Sequence, residues 1–347
     1  MRISLINPPH PNASYDRCDT PLGLAYIASY LEGHGYNVSI SDFTGGYPWD
    51  IEEADIYGIS VYAPTIDVSR SIAEKCREKN PESRIVVGGA HPTMMPESID
   101  FADTIVTGEG ERAMLDVAVD YPALKKRYSH SLDGRLDMCP NPAYHLVDIE
   151  SYSRKLNGET CLSILTSRGC PWRCAFCALP PQHKKVKYRS IQAVAAEISK
   201  IKNEYGVNKF NFQDDTFTYN QRRLFALLDE IRPLNIGFRC NTRAGIDNAD
   251  SYRKLKEAGC ELVCFGIESG SQKMLNLMNK KTTVQQNRKA VQEARKAGLR
   301  VKVFFVLGFP GETAETAEET RRFIEQTEPD ECLVNNFVPF PGTDVWN

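Results

Sequence analysis

Three cysteines, Cys170, Cys174 and Cys177, stand at a C-x3-C-x2-C spacing in the stretch Cys170-Pro171-Trp172-Arg173-Cys174-Ala175-Phe176-Cys177. Thiolates this close in sequence can hold three corners of one iron–sulfur cube, and a [4Fe–4S] cluster usually takes four thiolates. No fourth cysteine follows at a matching short spacing, so the pattern implies one open iron that can bind a small chelating molecule. The competing reading is a structural zinc knuckle or three unrelated thiols. A closed zinc site wants four ligands, typically in paired short spacings, and no second pair follows. Cys161 lies before the preceding predicted strand.

The elements that must position this loop are legible from periodicity. From residue 161 onward, apolar runs predict strands at about 162–166, 209–213, 236–240, 261–266, 301–306 and 331–337. Helical patterns fall between them at about 191–204, 219–232, 248–258, 284–297 and 314–326. Alternating strands and helices of this kind predict a partial (β/α)6 barrel of the TIM type, whose active site lies at the carboxyl ends of its strands. Polar and glycine motifs do cluster there. They are Ser167-Arg168-Gly169 with the cysteine loop, Gln213-Asp214-Asp215, Asn241-Thr242-Arg243, Gly266-Ile267-Glu268-Ser269-Gly270, Gly308-Phe309-Pro310-Gly311 and Asn335-Asn336. The opposite rim carries mostly Gly-Val, Ala-Gly and Leu-Asn turns. Gln213, Asp214 and Asp215 can accept from an ammonium, or Asp can cap the helix that follows. Arg243 can make a charge-assisted bond to a carboxylate or a plain rim salt bridge.

The C-x3-C-x-aromatic-C pattern, with Phe176 before the last cysteine, resembles the signature of the radical S-adenosylmethionine (SAM) enzymes. The resemblance covers roughly residues 160–343. It implies that Cys170, Cys174 and Cys177 ligate a [4Fe–4S] cluster whose open iron is chelated by the amino and carboxylate groups of SAM. An electron from the reduced cluster would then cleave SAM to methionine and a 5′-deoxyadenosyl radical. Phe265-Gly266-Ile267-Glu268-Ser269-Gly270 is similar to the family's ribose-binding strand, which implies that Glu268 binds the ribose hydroxyls through its two oxygens. Gln213, Asp214 and Asp215 stand where the family often has Gly-Gly-Glu, a match by location only. Arg243 would face the SAM carboxylate, Gly308 would give the adenine room, and Phe176 would pack beside the cluster.

The first 120 residues carry a second α/β series. Strands are predicted at 2–6, 37–41, 55–61, 84–87 and 104–107, with helices at 22–34 and 66–79. This predicts a doubly wound, Rossmann-like parallel sheet, whose ligands bind beyond the strand carboxyl ends. Those ends carry Asn7-Pro8-Pro9, Ser60-Val61-Tyr62, Gly88-Gly89-Ala90-His91 and Gly108-Glu109. Together with Pro21-Leu22-Gly23-Leu24, they resemble the cobalamin-binding-type domain that precedes many radical SAM domains. The resemblance implies cobalamin contacts from Ser60, Tyr62, Gly88, Gly89, His91, Gly108 and Glu109. The cobalt-ligating pattern Asp-x-His-x-x-Gly is absent, a feature shared with many radical SAM relatives. His91 has a second reading as a loop-capping residue. The glycine pairs have a second reading as tight turns.

The expected organisation is a cobalamin-binding-like domain over residues 1–120, a linker over 121–160 and the partial barrel over 161–347. Turn signals mark the linker at Tyr121-Pro122, Asp133-Gly134 and Pro140-Asn141-Pro142. The chain of 347 residues has 42 Lys and Arg against 45 Asp and Glu, so no global basic field points to nucleic acid. The basic run His183–Arg189 could meet a phosphate-bearing substrate or the cobalamin tail, but is expected to be a solvated helix approach. The proline-broken N-terminus does not read as a signal peptide, and no apolar stretch approaches membrane-spanning length. Eleven cysteines, an odd number, point to a reducing cytoplasm. Cys76, Cys240, Cys260, Cys264 and Cys332 are expected to be small buried hydrophobes.

The leading expectation is a cobalamin-dependent radical SAM methyltransferase acting on an unactivated carbon, with a flavodoxin- or ferredoxin-type reductant. One alternative is cobalamin-free or non-methylating radical chemistry: rearrangement, cyclisation or ring contraction. Another is a non-catalytic metal-binding protein. Methylthiotransferases add a cluster on three N-terminal cysteines, and Cys18, Cys76 and Cys139 do not suit that role. The barrel is expected to be open on one side, where a large substrate or a partner protein would close it.

Overall fold

The computed structural model describes residues 1–13, 16–132, 136–180 and 183–346. Asp133 and Gly134, read as a turn, lie outside them. The chain forms two compact units, Met1–Arg154 with Ala178–Gln182, and Lys155–Cys177 with His183–Asn347.

The first unit is built on strands β1 (Arg2–Asn7), β2 (Asn37–Asp42), β3 (Ile56–Ser60), β4 (Arg84–Gly88), β5 (Thr104–Gly108) and β6 (Arg127–His130). They form one parallel sheet in the order β2-β1-β3-β4-β5-β6. Helices α1 (Leu22–Glu32), α2 (Ile66–Lys79), α3 (Ala90–Met94) and α4 (Gly110–Asp120) connect them. Because strand side chains alternate, β3 and β4 bury both faces. Ile56 and Val86 pack with Leu24, Ala28 and Leu31 of α1 and Val117 of α4. Tyr57, Ile59, Ile85 and Val87 pack with Ile72, Ala73 and Cys76 of α2. This is the expected doubly wound sheet. Its strand order reverses between β1 and β3, the switch point where such sheets bind ligands. Strand β6 falls in the stretch read as breaking the α/β rhythm. Only Tyr128 of its four residues is buried, so a polar edge strand left no apolar run to detect.

The second unit begins with β7 (Lys155–Leu156), antiparallel to β8 (Glu159–Ile164). Then come β9 (Ser167–Arg168), β10 (Lys187–Tyr188), α5 (Ile191–Tyr205), β11 (Lys209–Phe212), α6 (Gln221–Ile231), β12 (Gly237–Thr242), α7 (Ala249–Glu257) and β13 (Cys260–Glu268). Helices α8 (Gln272–Leu277) and α9 (Val284–Lys296), β14 (Arg300–Leu307), α10 (Ala314–Thr327) and β15 (Glu331–Asn336) complete it. Strands β8, β11, β12, β13, β14 and β15 are parallel neighbours in sequence order. Among the described residues, edge strand β15 pairs with β14 alone and is largely exposed.

Local chemistry sets the helix boundaries. Ser190 caps α5 by accepting from Ala193 N, and Gly206 ends it in the left-handed region. Thr283 with Gln286, and Thr313 with Thr316, form reciprocal caps on α9 and α10. Four of the five cysteines expected to be buried are so. Cys332, on the edge strand, is exposed, because among the described residues no element covers β15. The basic run also departs from expectation. Lys187 and Arg189 are buried, and Arg189 pairs with Glu197 on the inward face of α5. The partner lies eight residues on, outside the run of cations itself.

Candidate active site

Strand β8 delivers the chain to the rim, and the short β9 turns it into the cysteine loop. Gly169 makes that turn possible: it has φ +102°, and a Cβ there would lie 2.5 Å from His183 O and 2.7 Å from Lys185 O. Only glycine fits such a conformation and approach. Cys170 N then donates to His183 O at 2.9 Å, and Cys177 N to Cys174 O at 3.0 Å. Ala175 N donates to Met278 O at 2.9 Å. Ala175 lies in a small apolar cluster with Met274, Met278 and Phe309, and Phe176 packs against it. The loop is thus anchored at its start and in its middle, while all three cysteines stay partly exposed.

The carboxylates after β11 hold this loop from below. Asp214 is fully buried and accepts from Thr166 N at 2.7 Å, Thr166 Oγ1 at 2.6 Å and Ser167 Oγ at 2.5 Å. Burial pushes its carboxyl up, and the bonds from Ser167 and Thr166 oppose that. Asp215 Oδ2 accepts from Gly169 N at 3.0 Å, and burial raises its carboxyl too. Both side chains therefore brace the entry to the loop instead of presenting all their oxygens to a ligand. Gln213 Nε2 donates to Ser163 Oγ at 2.8 Å. Thr216, not foreseen in the sequence, stands with Oγ1 3.6 Å from Cys170 Sγ.

Arg243 follows β12. Its guanidinium lies 4.1 Å from the Trp172 ring centroid, and Nη1 is 3.7 Å from Cys174 Sγ. Nη2 is buried with no hydrogen-bond partner among the described residues. A buried, unpaired guanidinium nitrogen beside the thiol loop is a ready donor for an anionic group. Glu268 ends β13 at a register shift against β14 and has φ 70°. It is buried, and its Oε1 accepts from the equally buried Lys280 Nζ at 2.8 Å. Gly308, with φ +81°, has open space where a Cβ would be.

Asp247 closes the loop after Arg243. Its Oδ2 accepts from Thr218 Oγ1 at 2.7 Å and Thr242 Oγ1 at 2.9 Å, and burial pushes its pKa up to about 7 from an ordinary 3.8. The folded state therefore holds this proton more tightly than the unfolded chain. The stabilisation is complete below the unfolded value and is lost as pH rises through about 7. Asp247→Asn keeps an acceptor for both threonines and removes the titration. The variant is expected to melt higher than wild type at pH 8 and to show a flatter melting profile between pH 5 and 8. Parallel profiles for the two proteins would refute this.

In the first unit, Ser60 ends β3 at the switch point, and Tyr62 beyond it is 52% exposed. Tyr62 N donates to Thr65 Oγ1 at 3.0 Å, which stiffens the loop. Gly89 has φ +111°, and a Cβ there would lie 2.8 Å from Val61 O. Its missing side chain makes room for the neighbouring strand's own continuation. Gly88 would take a Cβ at ordinary contact with Val106. His91 is buried, with Nε2 2.8 Å from Ser98 Oγ, the loop-capping arrangement. Gly108 has φ +85°, and the neighbouring Glu109 is buried and accepts from Leu132 N. A polar cluster not foreseen lies at the ends of β1 and β2. Asp42 accepts from Asn7 Nδ2 at 3.0 Å and Tyr152 OH at 2.7 Å, and pairs with Arg17 at 3.5 Å.

Residues 164–324 match the Radical SAM superfamily and residues 12–118 the B12 binding domain. An "Uncharacterized methyltransferase PH0819" of Pyrococcus horikoshii is 32% identical over all of this chain and 82% of its own length. The chain belongs to the radical SAM superfamily, in the subfamily with an N-terminal B12-binding domain. The anaerobic magnesium-protoporphyrin IX monomethyl ester cyclase of Rubrivivax gelatinosus is 26% identical over all of the chain and 69% of its own. Among solved structures, the radical SAM methyltransferase TsrM of Kitasatospora setae superposes with a TM-score of 0.78 at 19% identity. That match covers 99% of this chain and 76% of the other. It is a likeness of fold.

The donors in this radical SAM chain suit a cluster with an exchangeable corner. Among the described residues, no three His, Cys, Asp or Glu side chains are gathered as a single metal ion would need. Three partly exposed thiols on an anchored loop supply the soft donors such a cluster takes, and the Arg243 nitrogen beside them suits an anionic ligand. Lys280 and Thr216 escaped the sequence reading because nothing in their spacing marks them. Lys280 sits among Asn279 and Lys281 in what reads as a solvated turn.

Proposed function

We propose that this chain is a cobalamin-dependent radical SAM methyltransferase that acts on an unactivated carbon. The observation that carries the reading is the convergence of the Cys170–Cys177 loop, the unpaired Arg243 Nη2 and the buried Glu268 on one barrel rim, in a chain whose first unit matches the B12 binding domain. Cys170, Cys174 and Cys177 would hold the cluster, and Arg243 would bind the SAM carboxylate. Glu268 would take the ribose through the oxygen that Lys280 does not hold. Gly308 would leave space for the adenine. When bound, the cluster and SAM supply a 5′-deoxyadenosyl radical, and cobalamin supplies a transferable methyl group. The protein's own part is to bind, orient and exclude water. Among the described residues no helix is long and apolar enough to cross a membrane. The electron donor in this reading is a flavodoxin or ferredoxin. In the first unit, the β1–β3 switch point with Ser60 and Tyr62 would receive the cobalamin, and His91, bonded to Ser98, would shape the loop beside it.

A second reading keeps the cluster and SAM but ends in a cyclisation. It is favoured by the cyclase relative at 26% identity. Anaerobic reconstitution with iron, sulfide and cobalamin, followed by product analysis with SAM and reductant, separates the two. Bound cobalamin with both 5′-deoxyadenosine and S-adenosylhomocysteine is the expected result. Deoxyadenosine without S-adenosylhomocysteine would favour the second reading. Failure to bind any cluster would sink both.

A further inference from the structure

The three residues after α8 touch two parts of the site at once. Met278 O accepts from Ala175 N at 2.9 Å, and Asn279 Nδ2 donates to Arg173 O at 2.5 Å, so both hold the cysteine loop. Lys280 Nζ donates to Glu268 Oε1 at 2.8 Å. The turn itself is rigid. Met278 N and Lys280 N bond back to Met274 O and Leu275 O, Met278 is fully buried, and Asn279 and Lys281 take left-handed φ of 51° and 55°. Room for the ion pair is kept by a glycine. A Cβ on Gly266 would lie 2.5 Å from Glu268 Oε1 and 3.1 Å from Lys280 Nζ.

We propose that Lys280 is a positioning residue for SAM. It holds one oxygen of Glu268 so that the other faces the ribose, and the Met278–Lys280 turn sets the spacing between the cysteine loop and that carboxylate. The inference rests on the reading of Glu268 as the ribose ligand. A buried carboxylate without its ammonium would be desolvated and free to rotate. An arginine can restore the charge but not the compact point contact of an ammonium.

The test measures SAM binding to anaerobically reconstituted protein by calorimetry, with iron content and melting temperature alongside. Lys280→Met is expected to keep its iron and to weaken SAM binding by about ten-fold or more, the scale of one charge-assisted hydrogen bond. Lys280→Arg should recover part of the loss. In a Glu268→Gln background, Lys280→Met should cost little further, because its effect passes through Glu268. Gly266→Ala, which keeps both charges and crowds them, should also weaken binding and covers the case in which Lys280→Met does not fold. Wild-type affinity in an iron-replete Lys280→Met protein would overturn the proposal, as would an equal loss in the Glu268→Gln background. For a Lys280→Met protein that does not fold, wild-type affinity in Gly266→Ala would do so. Undiminished binding by Glu268→Gln alone would instead overturn the ribose assignment beneath it. No SAM binding by reconstituted wild type would overturn the functional reading as a whole.

Discussion

Cys174→Ala protein, reconstituted anaerobically, is expected to hold only a small fraction of the iron of wild type and to lose SAM cleavage entirely. Cys174 sits mid-loop, with Arg243 Nη1 3.7 Å from its sulfur. With one thiolate gone, two remain for a cube that ordinarily takes three or four. The loop itself should survive, because its anchors are Gly169, the Cys170 N–His183 O bond and the buried Ala175, none of which involves the Cys174 thiol. Iron and sulfide analysis with an absorption spectrum checks the loss, and circular dichroism checks the fold. A Cys174→Ala protein with full iron would mean that the ligand assignment is wrong. Zinc in place of iron in the wild type would revive the structural-knuckle reading.

Asp214→Ala is expected to destabilise the second unit by about 2–4 kcal/mol, the order expected when buried neutral donors lose their shared acceptor at about 1–3 kcal/mol each. Three protein donors from Thr166 and Ser167 converge on this one carboxylate. Those residues form the hinge from β8 into the cysteine loop, so iron uptake should fall with stability. Asp214→Asn keeps the volume and one acceptor and should lose less. Denaturant unfolding of the apo-proteins measures the effect. A loss below about 1 kcal/mol for Asp214→Ala, typical of an exposed hydrogen bond, would show that the bracing is weak.

Much of the architecture is legible in the periodicity of the chain. Helices α5, α6, α7, α9 and α10 fall within a residue or two of their periodic patterns, because each carries an apolar stripe and most carry a side-chain cap. The six parallel strands of the barrel were visible as short apolar runs between those helices. Strand β6 was not, since its buried content is a single tyrosine. Helix α8, six residues long, is too short for a helical period to register. Cys332 looked like a core residue because Leu333 and Val334 follow it, yet all three lie on an uncovered edge.

Within the candidate site the division is sharper. The three thiols, their common loop and the rim on which Arg243, Glu268 and Gly308 stand can all be read from the order of residues. Spacing along the chain is local information, and a βα repeat converts it into a shared face. Which charges are already engaged emerges from the folded chain alone. Asp214 is held by residues 47 and 48 positions away, Glu268 by a lysine 12 positions on, and Gly89 is filled by Val61. A charged side chain chooses its partner across space, by burial and distance, and no period in the sequence records that choice.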